Sequence, residues 1–284
     1  MNKTRRILLG SPFFLLGNSS QAAIQVTGAG ATFPAPLYFK WADEAKKSIG
    51  VEVNYQSVGS GAGISQIRNR TVTFGATDAP LEDQTGFLQF PTVEGSVVPV
   101  YNIPGVNNLK LTMQIVISIY RGDITMWNDS SIVALNPDIQ IPRIPIIPIY
   151  RADGSGTTYI WTSAMKAAGN WDQAGTSIRW PVGNGARGND GIAATVQRSR
   201  GAIGYVEYIY AKSSNIPYAA LDVEVRGKTY ILLPKNPTDK GAHDSAVKFF
   251  EWSFTKGLDI ARSMHYHTFS DDVYRQTITE MKRI

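Results

Sequence analysis

The chain has 284 residues, 43% apolar and 18% charged, which is enough for two globular lobes around buried cores and excludes a disordered segment. Its formal charge of +5 owes three positives to Lys3, Arg5 and Arg6, and the +2 that remains is too mild for nucleic-acid or membrane-surface recognition. There is no cysteine, which excludes disulfides, thiolate metal sites and thiol nucleophiles and removes the residue a lipid anchor would use.

At the start of the chain, Lys3, Arg5 and Arg6 precede an apolar run from Ile7 to Leu16 and the small residues of Ser20-Gln21-Ala22, the pattern of a signal peptide over residues 1–22. The run is short for a bilayer and contains Pro12; an N-terminal core helix is the alternative reading. Strand and helix patterns then alternate, predicting an α/β architecture. A glycine-rich turn from Gly28 to Pro34 offers Thr32 as a helix cap, with Pro34 just inside the start. Leu37, Trp41, Ala45 and Ile49 recur every fourth residue, predicting an amphipathic helix from Pro36 to Ile49 that Gly50 stops.

Val51, Val53 and Tyr55 alternate with polar residues, a half-buried strand feeding the turn Gly59-Ser60-Gly61-Ala62-Gly63. Pro142, Pro145 and Pro148 demote Ile141 to Ile149 to an edge strand or an extended crossing. The segment Arg151 to Thr157 then opens a helix running from Thr158 to Ala168. A helical stretch from near Asp190 precedes a β-rich run, Gly201 to Tyr210. Val247, Phe250 and Phe254 mark a buried helical face ended by Gly257, and a last helix starts at Ser270.

Three of these turns, at Gly28–Pro34, Gly59–Gly63 and Arg151–Thr157, lead from extended to helical sequence and carry hydroxyls. Such a turn presents free backbone N–H groups to an anion at the positive end of a helix dipole. In the third, Arg151 would give a charged fork, Asp153 would orient it, and Ser155, Gly156 and Thr157 would add donors. A surface Arg–Asp pair beside a capped helix is the competing reading. Ser60 reads equally as a donor or as a structural turn hydroxyl. Asp78, within Phe74 to Pro80, suits an anion that still carries a proton, as phosphate does and sulfate at neutral pH does not; the alternative is a solvated turn residue. Dinucleotide, P-loop and nucleophile-elbow motifs are absent, and His243, His265 and His267 lack companion ligands. No catalytic residue, metal or cofactor is therefore expected.

The stretches Thr27 to Pro36, Gly75 to Pro80, Arg151 to Thr157 and Gly201 to Val206 resemble the periplasmic phosphate-binding proteins of bacterial ATP-binding-cassette phosphate importers, a likeness running from about Thr27 to about Lys256. The resemblance implies a two-lobed periplasmic binding protein fold of type II, each lobe a mixed sheet flanked by helices, with the ligand in the interlobe cleft. Residues 23–98 and 232–284 would form lobe 1 and residues 99–231 lobe 2. It also implies inorganic phosphate held by Thr32, Phe33 (through its amide), Ser60, Asp78, Arg151, Ser155, Gly156 and Thr157, with Asp153 supporting Arg151. The implied partners are the permease and ATPase subunits of the importer, for a monomeric periplasmic protein without a lipid anchor. Two departures stand out: Gly61 replaces a second serine found in some relatives, and the stretch between Lys212 and Thr229 is shortened. Another oxyanion as ligand, or a secreted phosphatase-like enzyme, is the alternative function.

Overall fold

The computed structural model describes residues 25–284, and the signal peptide read over residues 1–22 lies outside the described residues. Strand β1 (Gln25–Gly30) leads into α1 (Ala35–Ile49), which buries Leu37, Tyr38, Trp41 and Ala45 along one face and ends at left-handed Gly50. Next come β2 (Glu52–Ser57), α2 (Ser60–Arg68) and β3 (Phe74–Thr77), and β1 pairs in parallel with both strands. The long β4 (Phe87–Tyr101) is followed by β5 (Lys110–Leu111), α3 (Met113–Arg121) and α4 (Ser130–Leu135). Then come β6 (Ile147–Arg151), α5 (Gly156–Ala168), β7 (Asn184–Ala186), α6 (Gly188–Arg198) and β8 (Ala202–Glu207). Helix α7 (Tyr208–Ser213) and β9 (Ala220–Leu221) lead to β10 (Arg226–Pro234), and α8 (Lys240–Thr255), α9 (Leu258–Ser263) and α10 (Asp271–Met281) close the chain.

Eight strands form a sheet in the order β2-β1-β3-β10-β4-β8-β6-β7. Strand β4 belongs to both halves: Phe87 to Ser96 pair antiparallel with β10, whereas Val97 to Tyr101 pair antiparallel with β8. Each half is thus a mixed sheet, with parallel strands on the far side of the shared one. Aromatic rings fill both cores. Tyr38, Tyr55, Phe74 and Phe250 interlock in the first half, and Tyr120, Trp161, Trp180 and Tyr205 in the second, with centroids 5.0–6.2 Å apart. Among the described residues no helix is long and apolar enough to cross a membrane.

Three local expectations need correction. The proline-rich stretch ends in an inner strand, because β6 pairs with β8 through Ile147 and Pro148 and with β7 through Ile149 to Arg151. Ile147 N donates toward β8, to Gly201 O, so by alternation the position of the N–H that Pro148 lacks faces β7, which has not yet begun. Thr32 does not cap α1: Pro34 is the N-cap residue and makes no side-chain cap. Tyr208 to Tyr210 leave the β-rich run for α7, which Glu207 caps by accepting from Ile209 N.

Helix α2 is seated on β1 at a glycine. A Cβ on Gly63 would stand 2.3 Å from Gly30 Cα and 2.7 Å from Ala29 O, both backbone atoms that cannot swing aside. Gly63→Ala is expected to push α2 off the sheet and cost about 1–3 kcal/mol. Thermal unfolding measures this as a lowered Tm; an unchanged Tm would show that the close approach is not needed.

Candidate functional site

The three glycine-rich turns converge. Gly30 O accepts from Val58 N (3.0 Å) and Gly59 N (2.9 Å), tying the first turn to the second. Gly61 N donates to Gly154 O at 2.9 Å, tying the second to the third. Asp78, just past β3, packs against the start of α5 so closely that a Cβ on Gly156 would lie 2.5 Å from Asp78 Cβ. That approach is open only to glycine.

The hydroxyls are held by backbone and amide donors. Ser60 Oγ accepts from Gly156 N (3.0 Å) and Asp78 N (3.3 Å). Thr32 Oγ1 accepts from Asn189 N (3.2 Å) and Asn189 Nδ2 (2.7 Å). Thr157 Oγ1 accepts from Asn189 Nδ2 at 3.2 Å. Ser155 caps α5, its Oγ accepting from Thr158 N at 3.1 Å. Phe33 places its ring in the core, where Tyr266 donates to its carbonyl at 2.8 Å. The preceding carbonyl, that of Thr32, accepts from Tyr210 at 2.5 Å, so the Phe33 N–H across the same trans peptide points away from Tyr210. Thr32, Phe33, Ser60, Asp78, Arg151, Ser155, Gly156 and Thr157 are all buried, and together they line the junction of the three turns.

One cation and three carboxyls set the electrostatics. Arg151 donates from Nε and Nη2 to the two oxygens of Asp153, at 2.7 and 2.5 Å. Its Nη1 is buried with no hydrogen-bond partner. Burial alone would raise the Asp153 carboxyl, but the bonds and charge of Arg151 and the Gly188 amide hold it below the ordinary range. Asp78 goes the other way: burial pushes it up to about 7, against the opposing pull of the Thr229 hydroxyl, the Arg151 charge and Thr157. Glu207 is also pushed well above the carboxylate range by burial, which the Ile209 amide and the Tyr266 hydroxyl only partly oppose.

Asn189, Tyr210 and Thr229 belong to this arrangement and were not singled out from sequence. Thr229 Oγ1 donates to Asp78 Oδ1 at 2.8 Å from β10. Its signal was a lone hydroxyl in a strand that turns apolar, Tyr230-Ile231-Leu232-Leu233. Tyr210 and Asn189 carried no local signal, since their partners lie far away in sequence. His265 and His267 do not share a strand face: His265 sits in the left-handed region at φ 64°, and only His267 pairs with Glu94. Among the described residues no cluster of three or more His, Asp or Glu side chains is placed to hold a metal ion.

A family model described as a PBP superfamily domain matches residues 17–254. The phosphate-binding protein PstS of Pasteurella multocida is 33% identical over 330 aligned positions, covering 98% of this chain and 96% of the relative. That of Haemophilus influenzae is 34% identical over 332 positions, covering 98% of each. Among solved structures, a putative phosphate ABC transporter substrate-binding protein with bound phosphate from Clostridium perfringens superposes with a TM-score of 0.71 at 20% identity, over 87% of this chain and 100% of that one. This last likeness establishes the two-lobed fold.

A raised Asp78 has a consequence for stability. Its folded pKa of about 7 lies above the ordinary 3.8, so the folded protein binds the extra proton. The stability that this proton confers is complete below the unfolded pKa and is lost as pH rises through about 7. Asp78→Asn keeps an acceptor for Thr229 without the charge. In anion-free buffer its Tm should exceed that of the wild type by several degrees at neutral pH, with the gap closing toward pH 4. Parallel Tm profiles across that range would contradict the assignment.

Proposed function

The chain belongs to the PBP superfamily alongside phosphate-binding proteins that match nearly its whole length, and on that premise we propose that it captures inorganic phosphate in the periplasm and delivers it to the permease and ATPase subunits of an ATP-binding-cassette importer. It binds and releases its ligand without chemistry. The observation that carries the reading is the pairing of opposites in one buried site: Arg151 Nη1, a cationic donor with no protein partner, and Asp78, a carboxyl within reach of its charge. A fully ionised oxyanion fits the first and is repelled by the second. An oxyanion that keeps one proton fits both.

In this reading Thr32, the Phe33 amide, Ser60 and Asp78 act from residues 23–98 and 232–284, and Arg151, Ser155, Gly156 and Thr157 act from residues 99–231. The first lobe boundary falls inside β4, which pairs with β10 along one stretch and with β8 along the next, and this supports pivoting about the strand the halves share. Closure brings Gly61 against Gly154 and Gly156 against Asp78, sealing the ion from water. Hydrogen bonds to a charged ligand contribute about 1.5–3 kcal/mol each, so a handful exceeds the roughly 8 kcal/mol of micromolar affinity even after closure costs. Signal-directed export, a monomeric state and the absence of a lipid anchor complete the proposal. The shortened stretch between Lys212 and Thr229 bears on docking to the permease and reaches the site at its end, where Arg226 to Lys228 line a cavity with Asp78.

Two measurements test the site. Arg151→Ala leaves the half-buried Asp153 without its cationic partner and removes the cationic donor, and calorimetry should find phosphate affinity reduced about a hundredfold or more; an affinity within a few-fold of wild type would sink the assignment. Sulfate has no proton to give, so it is accepted only when Asp78 supplies one. Sulfate competition should therefore be detectable below Asp78's value of about 7 and fade above it, whereas equal competition at both extremes would show that Asp78 does not screen the ligand.

A further inference from the structure

Resting on the phosphate reading, we infer that Asn189 is a positioning residue that fixes the Thr32 hydroxyl as a pure donor, so that Thr32 grips an unprotonated oxygen and the ligand's proton is left to Asp78. The argument starts with the orientation of the Asn189 amide. Glu207 N donates to one end of it at 2.9 Å, and a backbone N–H cannot accept, so that end is Oδ1. The other end is then Nδ2, and its two hydrogens are both spent, on Thr32 Oγ1 at 2.7 Å and on Thr157 Oγ1 at 3.2 Å.

A hydroxyl has one hydrogen to give and two lone pairs to accept with. On Thr32 both lone pairs are taken, one by Asn189 Nδ2 and one by Asn189 N. Only its hydrogen remains, so any further partner of Thr32 has to be an acceptor. Ser60 reaches the same condition by another route, with its lone pairs taken by Gly156 N and Asp78 N. Thr157 accepts from Asn189 Nδ2. A ligand O–H meeting Thr32 or Ser60 would face hydrogen against hydrogen. The single-proton dianion is therefore favoured over the doubly protonated monoanion.

Other titratable groups surround this arrangement. Asp78 follows β3, Arg151 ends β6 and Asp153 follows it, Asp190 neighbours Asn189 on α6, Glu207 ends β8, Tyr210 lies on α7, and Tyr266 precedes α10. Burial drives the two tyrosines still further above neutrality, so they do not change charge near pH 7, and it pushes Glu207, which the variants also leave in place, well above the carboxylate range. Asp78 does titrate there, and it is present in wild type and variants alike. The difference between their pH profiles isolates the contribution of Asn189.

Phosphate affinity of the wild type, Asn189→Ala and Thr32→Val is measured by calorimetry one unit below and one unit above the ion's second ionisation. Asn189→Ala frees a lone pair on Thr32 and another on Thr157, which can then accept from the monoanion. Its affinity is expected to fall roughly tenfold above that ionisation and by less than about threefold below it. Thr32→Val deletes a donor whose lone pairs face Asn189 and that has no accepting role toward the ligand to lose, so its affinity should fall about tenfold by the same factor at both pH values. Asn189→Ala losing equal factors at both, as a plain structural brace would, overturns the inference. Thr32→Val losing more on the acid side overturns it as well, and decides the matter alone if Asn189→Ala does not fold. A wild type that binds no phosphate at either pH would instead overturn the proposed function and take this inference with it.

Discussion

The geometry of the site depends on the Asp153 carboxylate. It takes two of the three nitrogens of Arg151, at 2.7 and 2.5 Å, and also accepts the Gly188 amide at 3.2 Å. A guanidinium gripped along one edge cannot rotate, so the nitrogen left over, Nη1, keeps a single direction. The bond to Gly188 pins the first turn of α6 to the loop after β6, and so fixes the next residue, Asn189, that reaches Thr32 and Thr157. The pair also cancels most of its own charge. A bound anion would be held by one oriented N–H edge and by hydroxyl and amide dipoles rather than by excess positive charge, in keeping with a chain that carries little net charge beyond its first residues.

The fold delivers these groups by one rule applied in each half. Strands β1 and β6 run parallel to both neighbours and β3 runs parallel to β1, and the turn or carboxyl that each contributes lies just past its carboxyl end. In open α/β sheets that edge is where loops and helix starts leave a crevice. Because β4 pairs with β10 along one stretch and with β8 along the next, the crevice of one half faces that of the other. The glycines at the meeting point make the approach possible. Gly156 comes so near Asp78 that any side chain would hold the halves apart.

The parts legible in the sequence are those whose cause is local. Glycine-rich turns before helices, the four-residue apolar spacing of α1 and the Arg-x-Asp fork each depend on residues a few positions apart, and each has its counterpart in the structure. The errors share the opposite cause. Thr32 had the right chemistry for a cap, but Asn189, 157 residues away, took its hydroxyl, and α1 begins on Pro34 without a side-chain cap. The prolines before β6 argued for an edge strand, yet the missing donor of Pro148 falls where the neighbouring strand has not started. Asn189, Tyr210 and Thr229 escaped notice for the same reason, since a buried polar residue is visible only through the partner that satisfies it.

Asp78 shows where function opposes stability. Burying a carboxyl beside Tyr38 and Tyr55, whose own hydroxyls are pushed up by burial, raises its pKa and costs the fold whenever it ionises. An asparagine would accept the Thr229 hydroxyl as well and carry no such penalty. What asparagine cannot do is exchange a proton with the ligand. Its amide oxygen accepts and its amide nitrogen donates irrespective of pH, so it would welcome an oxygen with or without a hydrogen. The carboxyl is the one side chain of that shape whose hydrogen-bonding sense depends on whether the ligand has brought a proton. In the proposed reading, a destabilising group is therefore placed at the one point where the identity of the ion would be read.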